Sequence, residues 1–191
     1  MPRVVRKQNP PVHTNYKKYK PYLRLDFERR CAYCHIPELR YGTQGNFGVD
    51  HFCPKSRPEF LKLICRYSNL YYTCRDCNTF KGSKWPDSRL RSKGFHFLDP
   101  CKDNFRDHFA VEFNGAITPT TRAGEYVVLQ LQLNSEYLCN WRRRKQRLAY
   151  QLSRLADLVA ATAEGTADHE NGSQLLAALQ RQFADEFGDW W

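Results

Sequence analysis

The chain has 191 residues, which is enough for one catalytic domain with attached elements but not for two full domains. There is no run of about 18 apolar residues, and no apolar stretch follows the basic N-terminus. This excludes a membrane-spanning helix and disfavours a Sec signal, so we expect a cytoplasmic protein. The formal net charge of +10 favours a polyanionic partner, although a basic surface that only aids solubility has the same composition.

Residues 1–25 form a basic N-terminal arm with seven Lys or Arg residues and no acidic residue. Prolines at positions 10, 11 and 21 disfavour a continuous helix, so residues 1–20 are predicted to be extended. Tyrosines alternate there with lysines, which suits stacking on bases and contact with phosphates; a terminus that contacts nothing is the alternative. The candidate phosphate-binding residues of the arm are Lys17, Lys18 and Lys20. A short helix is predicted from Pro21 to Arg30, with Leu23 and Phe27 buried.

Eight cysteines are present, and four of them form two Cys-x-x-Cys pairs about 40 residues apart, Cys31 with Cys34 and Cys74 with Cys77. Paired spacing in a chain without a secretion signal favours metal ligation over disulfides. Two such turns complete a tetrahedral four-sulfur site of the kind that zinc prefers, so we predict a structural zinc ion. The adjacent His35 is expected to be a bystander. The other cysteines are predicted to be reduced and mostly buried: Cys53, Cys65, Cys101 and Cys139.

The segment between and beside the cysteine pairs carries a second set of polar residues. Asp50 and His51 are adjacent, and Asn78 lies nine residues after Asn69. With this ordered set inside a four-cysteine frame, residues 31–86 resemble the HNH endonuclease family, also called the ββα-metal or His-Me finger fold. The third position holds Asn in place of the His that names the family, a variant that is common among HNH enzymes.

The resemblance implies a small zinc-stapled ββα core that hydrolyses phosphodiester bonds. In the family pattern His51 is the general base, since neutral imidazole accepts a proton near about pH 7. Asp50 and Asn78 hold the catalytic ion, because carboxylate and amide oxygens suit Mg²⁺ or Mn²⁺. Asn69 is not a ligand; its amide fixes the loop backbone and orients His51. Nearby basic residues either bind phosphate or are only solvated: Lys55, Arg57, Lys81 and Lys84.

Residues 87–134 are predicted to form an accessory segment. The dipeptide Asn114-Gly115 between two short apolar stretches predicts a β-hairpin. Thr121 or a neighbour is then expected to cap a short helix that reaches Leu131.

Residues 135–191 are predicted to form a helical extension. Asn134 or Ser135 is expected to cap a long helix, residues 164–172 to form a loop, and a second amphipathic helix to follow. The first half of this extension is basic, whereas its second half is acidic and ends in Trp190-Trp191. Such an end suits docking of a partner protein or simply covers the long helix.

Residues 95–145 resemble the tail that follows many stand-alone bacterial HNH domains, some of which act beside an ATPase in anti-phage systems of the Septu type. This resemblance implies an ATPase partner and a role in antiviral defence.

Together these features predict an α+β protein in which a basic arm (1–25) precedes a zinc-stapled HNH nuclease core (26–86). The accessory segment and the helical extension complete the chain. The function predicted first is metal-dependent cleavage of double-stranded DNA. The alternatives are an HNH nuclease that acts on RNA and a non-catalytic zinc-knuckle module that binds nucleic acid.

Overall fold

The computed structural model describes residues 4–6 and 8–187, and its fold is α+β, with about half of the chain in helices and two small antiparallel sheets. The described helices are α1 Lys20–Asp26, α2 Arg75–Lys81, α3 Ser88–Ser92, α4 Arg122–Gln130, α5 Glu136–Ala160 and α6 Ala167–Phe187. The strands are β1 Phe47–His51, β2 Leu70–Cys74, β3 Phe109–Val111 and β4 Ile117–Pro119. Among these described helices, none combines the length and the apolar content needed to cross a membrane.

The β1–β2 pair and α2 lie at the centre of the fold. The strands run antiparallel, with Phe47 opposite Cys74 at one end and His51 opposite Leu70 at the other. All five residues of β2 are buried, as suits a strand rich in aromatic side chains. Helix α2 follows β2 without a loop and packs on both strands. These three elements therefore bring the second cysteine pair and the surroundings of His51 into one small unit.

Helix α1 is shorter than the sequence predicts. It ends at Asp26, because Glu28 and Arg29 adopt left-handed backbone conformations with φ of 51° and 58°. Leu23 and Phe27 are buried, as predicted. The two left-handed residues reverse the chain and direct it toward the first cysteine pair.

The described part of the N-terminal arm packs on the core instead of extending into solvent. Val4 donates its backbone N–H to the Pro100 carbonyl at 2.8 Å. The Arg6 guanidinium donates to the Leu70 carbonyl at 2.7 Å and lies within 5.5 Å of three aromatic ring centres. Residues Tyr16–Tyr19 form a 3₁₀ helix. The prediction of an extended arm is therefore wrong for Tyr16–Tyr19, and residues 1–3 and 7 lie outside the described part.

The accessory segment contains the predicted hairpin and helix. β3 and β4 pair antiparallel around the predicted turn, and the Thr121 hydroxyl caps α4 by accepting a backbone N–H at 3.0 Å. Asn134 does not cap α5. Its side chain instead bonds both backbone groups of Ile117, at 2.7 Å and 2.9 Å. Ser135 occupies the cap position of α5 without a side-chain hydrogen bond.

Helices α5 and α6 form an antiparallel hairpin. Trp141 near the start of α5 stacks on Phe187 at the end of α6, with ring centres 4.5 Å apart. At the other end Gly172 lies against Val159, where a Cβ would approach the valine Cγ2 to 2.9 Å. The loop predicted to reach Gly172 ends earlier, at Thr166, whose hydroxyl accepts a first-turn N–H of α6 at 3.3 Å.

Candidate active site and cysteine cluster

The two cysteine pairs meet at one end of the β1–β2 pair. The sulfur atoms of Cys31, Cys34, Cys74 and Cys77 all lie within 4.8 Å of one another, and the four residues are buried. The Sγ atoms of Cys34 and Cys74 are 3.7 Å apart, which matches the edge of a tetrahedral site with zinc–sulfur bonds of about 2.3 Å. This buried four-cysteine cluster is compatible with a structural zinc ion.

The cluster favours a bound cation for electrostatic reasons. Burial acts to raise the pKa of Cys31, but hydrogen bonds from the other three thiols outweigh it and lower that pKa. Burial raises the pKa of Cys34 well above its ordinary value. The thiolate of Cys31 is thus stabilised while the Cys34 thiol stays protonated. A bound zinc ion would balance the negative charge of several thiolates at once. His35 lies outside the cluster, and burial lowers its pKa to about 3, so its imidazole is neutral.

The four cysteines outside the cluster are only half-buried, contrary to the prediction that most of them are buried: Cys53, Cys65, Cys101 and Cys139. All eight cysteines of the chain are described and are free thiols. The Cys65 thiol donates to the Thr14 carbonyl at 3.0 Å, which attaches the arm to the loop between β1 and β2.

His51 is the last residue of β1, at the opposite end of the strand pair from the cysteine cluster. Its Nε2 lies 3.0 Å from the Ile64 carbonyl oxygen. Because a carbonyl can only accept, Nε2 carries the proton and Nδ1 is the basic nitrogen. Burial lowers the pKa of His51, the Ile64 carbonyl acts to raise it, and Lys55 and Lys81 lower it. The imidazole is therefore neutral at about pH 7, the form that can accept a proton.

The Asn69 side chain fixes the loop that follows His51. Its Oδ1 accepts the Cys53 N–H at 2.8 Å, and its Nδ2 donates to the Cys53 carbonyl at 3.2 Å. The same Nδ2 donates to the Leu63 carbonyl at 3.3 Å. Since Leu63 directly precedes Ile64, one amide anchors both the end of β1 and the turn whose carbonyl holds the imidazole. The effect of Asn69 on His51 during a reaction stays a prediction.

The Asp50 side chain is buried against two partners. The Tyr33 hydroxyl donates to its Oδ2 at 2.7 Å, and the Lys81 ammonium lies 3.0 Å from Oδ2 and 3.3 Å from Oδ1. Burial raises the pKa of Asp50, while Lys81 and Tyr33 act to lower it. The predicted metal ligand therefore already belongs to a buried ion pair.

Lys81 is not available to bind phosphate, so that prediction is wrong for this residue. Its side chain is 0% exposed, and its ammonium also donates to the His51 carbonyl at 2.6 Å. The Phe97 ring covers the ammonium at 5.6 Å. Lys84, which follows on the same segment, is exposed.

One open cleft of about 320 Å³ is lined by His51, Asp50 and Asn78 together. Asn78 lies in α2 and is half-buried, with its amide against Gly48, where a Cβ would lie 3.3 Å from Nδ2. Asn69 lines a different cavity. The structure thus brings the predicted base and the two predicted ion ligands to one cleft, and it places Asn69 outside that cleft.

The arm contributes one wall of this cleft through Tyr16, one of the tyrosines that alternate with lysines in the sequence. The Tyr16 ring lies edge-on to the His51 ring, with centres 4.5 Å apart and planes at 72°. Lys55 donates to the Tyr16 hydroxyl at 2.9 Å. No local sequence signal separates Tyr16 from the other tyrosines of the arm, because its role depends on how the arm folds back.

The remaining candidate phosphate-binding residues differ in their exposure. Four of them are exposed: Lys17, Lys18, Lys55 and Lys84. Lys20 is half-buried and donates to the Gln44 carbonyl at 3.1 Å. Arg57 is also half-buried, donates to the Trp85 carbonyl at 3.0 Å and lies 3.7 Å from Glu59.

Comparison with protein-family models, with curated proteins and with solved structures finds no match to this chain. What the cleft does is therefore inferred from its own residues.

Proposed function

We propose that the chain is an HNH-type endonuclease that hydrolyses phosphodiester bonds in DNA with a divalent ion. The observation that carries this proposal is His51, a neutral histidine with one nitrogen fixed to a backbone carbonyl, in a cleft that Asp50 and Asn78 also line. The strand–strand–helix order of β1, β2 and α2 supports it, because these elements hold Asp50, His51 and Asn78, three of the residues that carry the resemblance in sequence.

His51 is the general base in this proposal. With the Nε2 proton held by the Ile64 carbonyl, Nδ1 takes a proton from the water whose oxygen attacks phosphorus. The lowered pKa keeps Nδ1 free of a proton at about pH 7. Proton transfer of this kind contributes about 10²-fold to 10⁴-fold to a rate.

The oxygen donors in the cleft fit a divalent ion that keeps much of its water. A carboxylate has about four acceptor positions. Tyr33 and Lys81 use three of those on Asp50, and the His51 backbone also bonds this carboxylate, which leaves at most one for an ion. With the Asn78 amide oxygen this is a sparse protein ligand set, of the kind that Mg²⁺ or Mn²⁺ completes with water and phosphate oxygens. Such an ion, when bound, stabilises the charge that develops on the phosphate and on the leaving oxygen.

Nucleic acid is the substrate class that the charges favour. Exposed lysines lie both on the arm and beside the cleft, and they suit sequence-independent contact with phosphates. DNA is proposed ahead of RNA on the resemblance in sequence. An ATPase partner, an antiviral role and a cytoplasmic location stay predictions, and the Trp190-Trp191 pair suggested for docking lies outside the described residues.

The proposal is tested by incubating zinc-loaded protein with plasmid, linear DNA and RNA, each with Mg²⁺, Mn²⁺ or chelator. We expect cleavage that needs a divalent ion and that falls by at least about 10²-fold in His51→Ala, because the general base is lost. His96→Ala is the matched control, since His96 is an exposed histidine outside the cleft. Full activity of a folded His51→Ala protein would refute the assignment.

The same experiment separates the two alternatives. Cleavage of RNA but not of DNA would move the substrate to RNA with the chemistry unchanged. Binding of nucleic acid without ion-dependent cleavage of any substrate would favour the zinc-knuckle binding module, and would contradict the enzyme proposal.

A further inference from the structure

The proposed function assigns no role of its own to Lys81, which forms a buried ion pair with Asp50 beside the cleft. A lysine is almost never fully buried unless its charge is paired, and Lys81 has no exposed surface. Its ammonium reaches both carboxylate oxygens of Asp50 and the carbonyl of His51. Lys81 therefore lies at the junction between the predicted ion ligand and the proposed base.

Resting on the proposed function, we infer that Lys81 is a positioning residue that keeps the affinity of the cleft for the divalent ion low until a nucleic-acid phosphate is present. The charges give the reason. Among the described residues that line the cleft, Asp50 is the only one with an acidic side chain, and Lys81 already balances its charge. An ion at Asp50 and Asn78 would thus gain little net attraction from the protein and would be repelled by the nearby ammonium.

The ligand count leads to the same conclusion. At most one acceptor position of Asp50 is left by Tyr33, Lys81 and the His51 backbone, and the Asn78 amide adds one neutral oxygen. A phosphate would supply both the missing oxygen ligands and the missing negative charge. Ion and nucleic acid therefore bind cooperatively, and the two affinities are linked reciprocally.

Lys81 also fixes geometry, because one ammonium bonds the Asp50 carboxylate and the His51 carbonyl at the same time. A substitution that removes the charge of Lys81 but keeps the volume of its side chain should therefore separate two effects. The ion should bind more tightly without nucleic acid, while the end of β1 becomes less well held.

The experiment measures Mn²⁺ binding by electron paramagnetic resonance to the full zinc-loaded chain, with and without a short DNA duplex. A His51→Ala background prevents turnover. In that background we expect DNA to tighten Mn²⁺ binding by at least about tenfold. With Lys81→Met added, we expect DNA-free binding to tighten by about tenfold or more, and the effect of DNA to shrink. Lys84→Met is the matched control: it removes a nearby exposed lysine that does not reach Asp50, and should change DNA-free affinity by less than about twofold.

Unchanged or weaker Mn²⁺ binding in folded Lys81→Met would overturn the inference. Lys81→Gln is the second variant, because an amide can still bond Asp50 and the His51 carbonyl without a positive charge. If neither variant folds, the parent protein decides, since equal Mn²⁺ affinity with and without DNA would contradict the inference. If the wild-type protein shows ion-dependent cleavage but the Lys81 variants leave Mn²⁺ affinity unchanged, this inference alone is rejected. If the wild-type protein shows no ion-dependent cleavage at all, the proposed function is rejected.

Discussion

The two ends of the β1–β2 pair use buried polar groups in opposite ways. At the end where Phe47 faces Cys74, four identical thiols surround one point and are closed off from solvent. At the other end, about 13 Å along the strands, His51 faces Leu70 and unlike groups border an open cleft.

We expect the groups at the closed end to stabilise the fold and the groups at the cleft to serve chemistry. Metal binding by the closed cluster would add directly to the free energy of folding, because the site does not exist in the unfolded chain. The Lys81–Asp50 pair has no such effect, since the cost of desolvating a buried ion pair roughly offsets its attraction. We therefore expect changes at the cysteine end to affect stability first and changes at the cleft to affect activity first.

Loss of one cluster thiol should have the largest effect. Cys74→Ser should abolish zinc binding and unfold the core, because apparent zinc-binding free energies are on the order of 10 kcal/mol. The measurements are zinc content by mass spectrometry and the thermal unfolding midpoint. Cys53→Ser, at a half-buried cysteine outside the cluster, should keep the zinc and most of the stability. A Cys74→Ser protein that keeps both its zinc and its stability would show that the closed end is not the metal site.

Asn69→Ala should affect both stability and activity. It removes three hydrogen bonds to backbone groups next to the cleft, which we expect to cost about 2 kcal/mol of unfolding free energy and to lower kcat. Asn134→Ala is a matched control, because Asn134 bonds both backbone groups of one residue in the same way in the hairpin. Urea unfolding should show a lower unfolding free energy for Asn134→Ala, whereas its kcat should stay close to that of wild type. Equal losses of kcat in the two variants would show that Asn69 has only a structural role.

Tyr16→Ala should act on the cleft with little effect on the fold. The ring that borders His51 is lost, so we expect kcat to fall by about tenfold, on the order of 1 kcal/mol, with a nearly unchanged unfolding midpoint. Tyr16→Phe keeps the ring and removes only the acceptor for Lys55, so it should change KM more than kcat. An inactive Tyr16→Phe would assign the hydroxyl, and not the ring, as the important group.

Glu38→Gln should have the smallest effect, and that effect should depend on pH. Burial acts to raise the pKa of Glu38, but hydrogen bonds from Arg24 and Tyr72 outweigh it and lower that pKa. The folded state thus binds the proton less tightly than the unfolded chain. The contribution of Glu38 is therefore present above its ordinary pKa and is lost as the pH falls through the lower folded value.

The measurement for Glu38 is the difference in unfolding free energy between wild type and Glu38→Gln from about pH 7 to about pH 3. We expect about 0.5 kcal/mol at neutral pH and a smaller difference in acid. Glu59→Gln, at an exposed glutamate, should give almost no difference at any pH. A constant difference across the range would mean that the Glu38 charge is not involved.

The closed end was more predictable from sequence than the cleft. Zinc dictates ligand type and tight local spacing, so two Cys-x-x-Cys pairs were enough to predict the cluster that the structure contains. The accessory hairpin and the Thr121 cap were predictable for a similar reason, since turn and cap residues act on their immediate neighbours.

The partners of the cleft residues could not be predicted in this way. Lys81 has the local pattern of a solvated helix lysine, and its burial depends on Phe97 and on β1, which are distant in sequence. Tyr16 reaches His51 only because the arm folds back over the core. The early end of α1 is set by the left-handed residues Glu28 and Arg29, neither of which is a glycine.

The α5–α6 hairpin has a practical consequence. Within α5 no residue beyond Arg142 is fully buried, so the outer part of the hairpin rests mainly on itself. A helix of 25 residues is about 37 Å long, which carries the turn before α6 far from the base that Trp141 and Phe187 hold. Gly165 in that turn has open space around its Cβ position. A fluorophore attached at this turn would therefore leave both ends of the strand pair untouched.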